Sequence, residues 1–127
     1  MSDAAKIVKK PWGQEEWLEL NDRYCFKRIT IFAGSRTSLQ YHMKKLETNY
    51  LESGEAELTL ENQHGELCVT KIVQGSRATI SPGKLHRIKA LTDIVLMEVS
   101  TPEVDDVVRV EDDTKRPDGR IQAEHVT

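Results

Sequence analysis

Four side chains in the middle of the chain have the types and the spacing of a metal site. Gln40 and His42 are two residues apart, so in a β-strand both point to the same face of the sheet. Glu47 follows after a gap in which the chain can turn and return as a neighbouring strand. His86 follows Pro82-Gly83, a turn signal that can start a strand running back toward the other three. An amide, two imidazoles and a carboxylate can bind one divalent ion, for which zinc is the first choice and manganese, iron or nickel also fit.

An alternative interpretation needs no metal. The two histidines would then be ordinary polar residues at the mouth of a barrel, with Glu47 in a salt bridge to Lys45. A lone histidine would favour this interpretation, but four potential ligands at interlocking spacing favour the metal site. The remaining histidines, His64 in a hairpin loop and His125 in the C-terminal tail, are predicted to be solvated.

The elements that must position these residues are short strands. Runs rich in β-branched and aromatic residues recur at regular spacing between glycine and proline turns, and no useful helical periodicity occurs before residue 100. The pattern predicts an all-β barrel or double-sheet jelly roll. The predicted strands cover residues 23–32, 37–42, 48–52, 57–61, 67–73, 78–81, 85–90 and 94–99, with a weaker alternation over 15–20.

The two ends of the chain read differently. Residues 1–10 are polar and lysine-rich, which predicts a loose N-terminal arm. Residues 103–127 form a charged C-terminal extension around several valines. Its first part either makes one helical turn near Val104 to Val108 or runs extended along the barrel, and residues 121–127 are predicted to be frayed. With no interdomain linker, residues 1–127 are predicted to be a single domain.

Composition limits the class of protein. The chain has 127 residues, a net charge of −3 and a pI of about 5.8, so it has no electrostatic footprint for nucleic acid. It has no apolar segment long enough to span a membrane and no apolar run after Met1, which predicts a cytoplasmic protein. Cys25 and Cys68 lie in strand-like runs without metal-type spacing, which predicts buried, reduced thiols.

The motif residues resemble the cupin superfamily. Its first motif is Gly, five residues, His-x-His, three or four residues, Glu, six residues and Gly, and its second is Gly followed by Pro-x-Gly-x-x-His and Asn. The first motif is matched here by Gly34, Gln40-x-His42, Glu47 and Gly54, with Gln40 in place of a histidine. The second is matched by Gly75, Pro82-Gly83 and His86, with the proline one residue late and Ala90 in place of the asparagine.

A closer resemblance is to the C-terminal domain of the bifunctional mannose-6-phosphate isomerase/mannose-1-phosphate guanylyltransferase family. The matching segments are Pro11-Trp12-Gly13, Ser38-Leu39-Gln40-Tyr41-His42, His86-Arg87, Glu98-Val99, Asp105–Arg109 and Gly119-Arg120. Departures include Lys45 in place of an arginine and Thr48-Asn49-Tyr50 in place of a His-Trp pair. The resemblance implies a cupin double-stranded β-helix, a homodimer, and a small-molecule sugar or sugar phosphate as ligand. No guanylyltransferase half lies in these 127 residues, so that activity is not expected of them.

The resemblance implies an aldose–ketose isomerase that works through a cis-enediol. A base must then move a proton between C1 and C2 of the sugar. Glu98 is the first candidate, and Lys45 is the second if burial lowers its pKa. The alternative is that both residues are salt-bridged at the surface.

A phosphorylated substrate would also require cations at the mouth of the barrel. Lys27, Arg87, Arg109 and Arg120 are the candidates for this role. Two other functions stay open at this point. One is another sugar enzyme of the same barrel, such as an epimerase or a pentose isomerase, and the other is a cupin that binds a carbohydrate without turnover.

Overall fold

The chain folds into two antiparallel sheets that enclose one barrel. The computed structural model describes residues 4–125. Within them the strands are β1 (Lys6–Lys10), β2 (Gly13–Leu20), β3 (Cys25–Ile31), β4 (Leu39–Tyr41), β5 (Glu47–Ser53), β6 (Glu55–Glu61), β7 (Leu67–Val73), β8 (Arg77–Ile80), β9 (His86–Ala90), β10 (Ile94–Ser100) and β11 (Val108–Glu111). One sheet has the order β1-β2-β3-β10-β5-β8, and the other has the order β11-β4-β9-β6-β7. The one helical element of the described residues is a 3₁₀ turn at Gln122–Glu124, so none of their helices is long enough to cross a bilayer.

The interior of the barrel is apolar at one end and charged at the other. In the register of β3 and β10, Ile94 lies opposite Ile31 and Leu96 opposite Ile29, and these side chains are buried in the core. Two residues further along the same inward-facing row, Glu98 lies opposite Lys27. β3 and β10 therefore each carry apolar core residues and a polar residue on the same face. The polar residues lie at the end of the barrel where chemistry can occur.

The eight predicted strands all form, each within two residues of its predicted ends. The prediction of a loose arm is wrong for residues 6–10, which form β1 and pair with β2, with Val8 fully buried. The three lysines around Ile7-Val8 give β1 a composition that does not predict a strand. The strand forms because it pairs with β2, and its own composition contributes little. Residues 1–3 of the predicted arm lie outside the described residues.

The C-terminal extension is held against the barrel. Of the two alternatives for its first part, the extended one is correct, because β11 pairs with β4. The prediction of fraying is wrong for residues 121–125, where the 3₁₀ turn is anchored by Glu124. That carboxylate pairs with Lys10 at 2.8 Å and with Arg116 at 3.1 Å. Residues 126 and 127 lie outside the described residues.

The two cysteines have different environments. Cys25 is a buried free thiol, as predicted, and Cys68 is a free thiol but is exposed. The prediction fails for Cys68 because β7 is the edge strand of its sheet, and only Ile72 of β7 packs against the core.

Candidate metal site and cavity

Three of the predicted ligands lie at the starts and ends of strands, at the polar end of the barrel. His42 directly follows β4, Glu47 is the first residue of β5, and His86 is the first residue of β9. The turn before His86 is hydrogen-bonded to His42, because the backbone N–H of Gly83 donates to the backbone oxygen of His42 at 2.7 Å. Gly83 has a φ of 84°, a conformation that glycine adopts without strain.

The three side chains converge on one point. Their potential ligand atoms all lie within 4.8 Å of one another. His42 Nε2 is 2.8 Å from Glu47 Oε1, and His86 Nε2 is 3.3 Å from the same oxygen. All three side chains are buried, with exposed fractions of 3%, 4% and 6% for His42, Glu47 and His86. The protein thus contains a three-residue cluster that can bind a metal ion.

The protonation pattern of this cluster fits a cation. His42 Nδ1 is 2.6 Å from the backbone oxygen of Asp106, and His86 Nδ1 is 2.9 Å from that of Lys84. A carbonyl oxygen can only accept, so each Nδ1 carries a proton, and a neutral imidazole then presents its Nε2 lone pair to Glu47. His86 Nε2 is buried without a hydrogen-bond partner. A divalent ion could contact His42 Nε2, Glu47 Oε1 and His86 Nε2 together, whereas a proton shared in a hydrogen bond joins only two of these atoms.

Gln40, the fourth predicted ligand, lies next to this cluster. It pairs with His86 across β4 and β9, so the two side chains are neighbours on one face, and both line the same cavity. Its amide oxygen accepts a hydrogen bond from the buried Ser38 hydroxyl at 2.9 Å. That oxygen keeps a second lone pair. A role for Gln40 as a ligand stays a prediction.

Asp106 positions the loop that carries His42 and Glu47. Its carboxylate accepts the backbone N–H groups of Met43, Lys44 and Lys45 at 2.7–3.0 Å. Burial alone would raise the pKa of Asp106, but these three hydrogen bonds lower it. The side chain and the backbone oxygen of one residue therefore fix both the loop and the ring of His42. Outer groups of this kind orient metal ligands.

Replacing Asp106 by alanine is expected to lower metal affinity by about 10–100-fold, because the His42–Glu47 loop loses three hydrogen bonds. Chelator competition on purified protein measures this. Asp113→Ala is the matched control, since Asp113 binds the exposed Arg36 far from the cluster. Equal losses in the two variants would contradict the positioning role.

Lys45 and Glu98 form a buried pair beside the cluster. Lys45 Nζ is 3.3 Å from Glu98 Oε2, yet Oε2 receives no hydrogen bond of acceptable geometry. Burial and the neighbouring Glu47 carboxylate raise the pKa of Glu98 to about 7. Burial would lower the pKa of Lys45, but the carboxylates around it, of which Glu98 is the strongest, raise it. Lys45 could act as a base only if burial lowered its pKa, and this condition is not met. The alternative prediction for Lys45 and Glu98 was a salt bridge at the surface, whereas the pair is buried.

Glu47 is held as a carboxylate. Burial alone would raise its pKa, but the Lys45 ammonium and the hydrogen bond with His42 hold the pKa of Glu47 well below its usual value. The predicted alternative, a salt bridge between Glu47 and Lys45, does not describe the geometry. Among the described residues, Lys45 pairs with Glu98, and Glu47 faces the histidines.

The four predicted substrate-binding cations occupy different places. Lys27 is buried, lies 3.1 Å from Glu15, and stands 4.8 Å above the ring of Trp17. Burial would raise the pKa of Glu15, but Lys27, two further lysines and a hydrogen bond from Trp17 together lower it to about 2. Arg87 is also buried, and its Nε donates to the backbone oxygen of Thr37 at 2.9 Å. Both cations line the cavity that contains His86 and Glu47.

The other two cations belong to the C-terminal extension. Arg109 donates to the backbone oxygens of Pro117 and Gly119 and lines the same cavity. Arg120 does not line that cavity. It lies in an adjoining recess and is 3.7 Å from Asp105.

The cavity itself has a volume of about 110 Å³ and reaches from the polar end to the apolar core. It adjoins a smaller recess. Lys27, Gln40, Lys45 and Arg109 line both spaces and connect them.

Several residues at this end were not predicted. Glu15 and Arg116 line the cavity, and Asp106 holds the loop. Asp106 belongs to the Asp105–Arg109 segment that resembles the family, but no role was predicted for it. Nothing in the local sequence indicated a role for Glu15 or Arg116. His125, predicted to be solvated, packs edge-on against Trp17 with ring centroids 5.3 Å apart, and its Nδ1 is buried.

Solved structures with the same fold define the class of protein. A cupin described as RmlC-like, from Shewanella frigidimarina, has a TM-score of 0.68 at 18% identity, covering 80% of this chain and 86% of that one. CapF, solved with an inhibitor, has a TM-score of 0.74 at 18% identity, covering 87% of this chain and 36% of its own. Oxalate decarboxylase from Bacillus subtilis has a TM-score of 0.71 at 15% identity over 87% of this chain and 32% of its own. The fold is the predicted cupin jelly roll.

The sequence relationship is narrower. Residues 2–112 match the family described as mannose-6-phosphate isomerase C-terminal, and the chain belongs to that family. The xanthan biosynthesis protein XanB of Xanthomonas campestris is 32% identical over 110 residues, and the mannose-1-phosphate guanylyltransferase ManC of Salmonella typhimurium is 33% identical over 109. Each alignment covers 83% of this chain but 22% of the relative, so the chain spans about a fifth of the length of these proteins.

Proposed function

We propose that the protein is a metal-dependent aldose–ketose isomerase that acts on a sugar phosphate in the manner of mannose-6-phosphate isomerase. The observation that carries the proposal is the convergence of His42, Glu47 and His86 next to Glu98, whose Oε2 has no hydrogen-bond donor. A metal-binding cluster beside an available base is what enediol chemistry requires. Membership of a family named for the isomerase supports the same reaction.

Some of these residues would bind the metal, and others would transfer the proton. His42, Glu47 and His86 would hold the metal, with Gln40 as a fourth ligand and zinc as the first choice. When bound, the metal supplies a positive charge that polarises the carbonyl and hydroxyl of the sugar. Glu98 takes the proton from C2 of the aldose and returns it to C1, while the proton of the C2 hydroxyl passes to the C1 oxygen, and the ketose reacts by the reverse. Lys45, fixed 3.3 Å from Glu98, stabilises the carboxylate before the proton moves.

Proton NMR in D₂O tests the reaction directly. The metal content of the purified protein is measured first, and mannose 6-phosphate is then incubated with the metal-loaded protein. Deuterium at C1 of the ketose that forms, and at C2 of the aldose through the reverse reaction, supports the proposal. An unchanged spectrum alongside a ligand-induced rise in melting temperature points instead to a cupin that binds carbohydrate without turnover. Deuterium exchange with inversion at another carbon points to an epimerase.

We also propose that the protein is a homodimer joined through β7. This strand is an edge of its sheet, and its outer face carries a row of exposed apolar side chains, Leu67, Val69 and Val73. The one charged residue of the strand, Lys71, is paired with Glu55 at 2.8 Å, so two copies of the edge would not repel each other. Antiparallel pairing of two β7 strands about a twofold axis would cover both edges.

Replacing Val69 by lysine is expected to convert the dimer to a monomer, because it places a like charge on each side of the proposed axis. Light scattering measures the mass. Val110→Lys is the matched control, since Val110 is exposed on β11, the opposite edge of the same sheet. A wild-type monomer, or a Val69→Lys protein that remains dimeric, would refute the interface.

A further inference from the structure

Asn49 is a neighbour of both the metal cluster and the candidate base. It lies two residues after Glu47 on β5, so both side chains point into the barrel, as does the fully buried Leu51. In the register of β5 with its neighbours, Asn49 lies opposite Glu98 of β10 and opposite Ala78 of β8. Because β5 is paired on both sides, the backbone of Asn49 is fixed, and its half-buried side chain lines the cavity.

An asparagine at this position distinguishes the chain from the family pattern. Thr48 and Asn49 stand where that pattern has a His-Trp pair. Asparagine is depleted in strands, because its short polar side chain gains little from packing on a pleated surface. An inward-facing asparagine in the middle of a strand therefore indicates a hydrogen-bonding role.

The side chain of Asn49 binds the carboxylate oxygen of Glu47 that does not face the histidines. Its Nδ2 donates to Glu47 Oε2 at 3.1 Å. The other oxygen, Oε1, is 2.8 Å from His42 Nε2 and 3.3 Å from His86 Nε2. A carboxylate oxygen only accepts, so the amide must present its NH₂ group to Oε2. The two oxygens of Glu47 thus have different partners, and the plane of the carboxylate is set by both.

The other polar groups nearby do not replace this contact. When both carboxylates are ionised, Glu98 cannot donate to Glu47, and Lys45 pairs with Glu98 at 3.3 Å. Among the described residues, this leaves Asn49 as the donor to Oε2. Without that donor, Oε2 would be a buried acceptor in need of a partner, and rotation of the carboxylate toward a bound metal ion would provide one.

We propose that Asn49 is a positioning residue that restricts Glu47 to a single metal-binding oxygen, Oε1. A carboxylate can bind a metal ion through one oxygen or through both, and the groups that hydrogen-bond to it influence which occurs. With Oε2 held by the amide, the place that it would take at the metal stays available for an oxygen atom of a ligand. This inference rests on the metal site of the proposed function, but not on sugar turnover.

Crystal structures of the full-length chain loaded with Zn²⁺ test the proposal directly. In the wild type, we expect Oε1 of Glu47 at about 2.0–2.2 Å from the ion and Oε2 still bound to Asn49. In Asn49→Leu, which keeps a side chain of similar size but has no donor, we expect both oxygens to bind the ion. Asn49→Ala removes the bulk as well and should give the same result, so a packing effect of leucine is separated from the loss of the donor.

Acetohydroxamate, which binds metal ions through two oxygen atoms, measures the same effect in solution. Titration of the Co²⁺-loaded protein, followed by visible absorption, gives the dissociation constant of this probe. We expect Asn49→Leu to raise that constant about tenfold or more, because the second oxygen of Glu47 occupies a place that the probe needs. Thr48→Val is the matched control, since it also keeps the size of a side chain on β5 and removes one hydrogen bond, to Thr79 at 2.9 Å.

The possible outcomes separate this inference from the isomerase proposal. A single bound oxygen in the Asn49 variants, or two bound oxygens in the wild type, would overturn the role of Asn49. Equal effects of Asn49→Leu and Thr48→Val on the probe would overturn it as well. In each of these cases the isomerase proposal stands, because the metal is still bound. A wild type that binds neither Zn²⁺ nor Co²⁺ refutes both proposals.

Discussion

Replacing His86 by alanine is expected to lower the affinity for the metal by at least about 100-fold and to abolish sugar interconversion. The imidazole supplies one of three buried donors, and its Nε2 has no other partner among the described residues. Loss of an inner ligand should cost more than loss of an outer group, for which about 10–100-fold is usual. Elemental analysis after dialysis against a weak chelator measures the loss.

The same variant should keep its fold, which makes the result interpretable. Without metal, alanine removes a lone pair that faces Glu47 at 3.3 Å and the hydrogen bond from His86 Nδ1 to the backbone oxygen of Lys84, so the apo variant should melt somewhat below the apo wild type but remain folded. Metal at about 100 times its dissociation constant should stabilise the wild type by about 2.7 kcal/mol, or roughly 10 °C, and should leave the variant unchanged. His64→Ala is the control, since His64 is exposed in a hairpin. A His86→Ala protein with a full metal complement would show that the cluster is not the metal site.

Spacing, strand period and the resemblance to cupins together predicted the cluster of His42, Glu47 and His86. His42, Glu47 and His86 are separated by up to 44 positions, but each lies beside a turn signal or at the start of a β-prone run, and those signals are local. Turns at Gly34, Gly54 and Gly83 fix where strands reverse, and the alternation within each strand fixes the face. The resemblance to cupins then indicated which faces meet.

The electrostatic environment of Lys45 could not be predicted in the same way. Its pKa depends on Glu98 from β10 and on Glu15 from β2, which are distant in sequence and reach it only in the closed barrel. Burial and ion pairing act in opposite directions on a lysine, and sequence gives neither magnitude. The role of Lys45 therefore changes from a candidate base to the partner of the candidate base.

The C-terminal extension was the least predictable part. Its first part left a helical turn and an extended run as alternatives, and residues 121–127 were predicted to be frayed, because chain ends usually are. The contacts that hold it join residues far apart, such as Lys10 and Glu124, or bury both partners, as with Arg116 and Asp112. Composition alone cannot separate a buried ion-pair network from a flexible tail, since both use the same residues.

Replacing Glu98 by glutamine is expected to lower kcat by roughly 10²–10⁴-fold, the usual contribution of a general base, while the metal remains bound. Glutamine keeps the shape of the side chain but cannot accept the proton that leaves the reacting carbon. Deuterium entry at C2 is the specific readout, because it follows proton transfer itself and not sugar binding. The metal content of the variant should equal that of the wild type, since Glu98 lies outside the three-residue cluster.

Glu15→Gln is the matched control for this change. Both carboxylates are buried in the same cavity and paired with a lysine, Glu98 with Lys45 at 3.3 Å and Glu15 with Lys27 at 3.1 Å. Each substitution leaves a buried ammonium without its partner. The pKa of Glu15 is lowered to about 2 and that of Glu98 is raised to about 7, so Glu15→Gln should lose at least as much stability as Glu98→Gln. Glu15 Oε1 accepts from both Lys27 and Trp17, whereas Glu98 Oε2 accepts no hydrogen bond. If proton exchange falls equally in the two variants, destabilisation explains the loss and Glu98 is not the base.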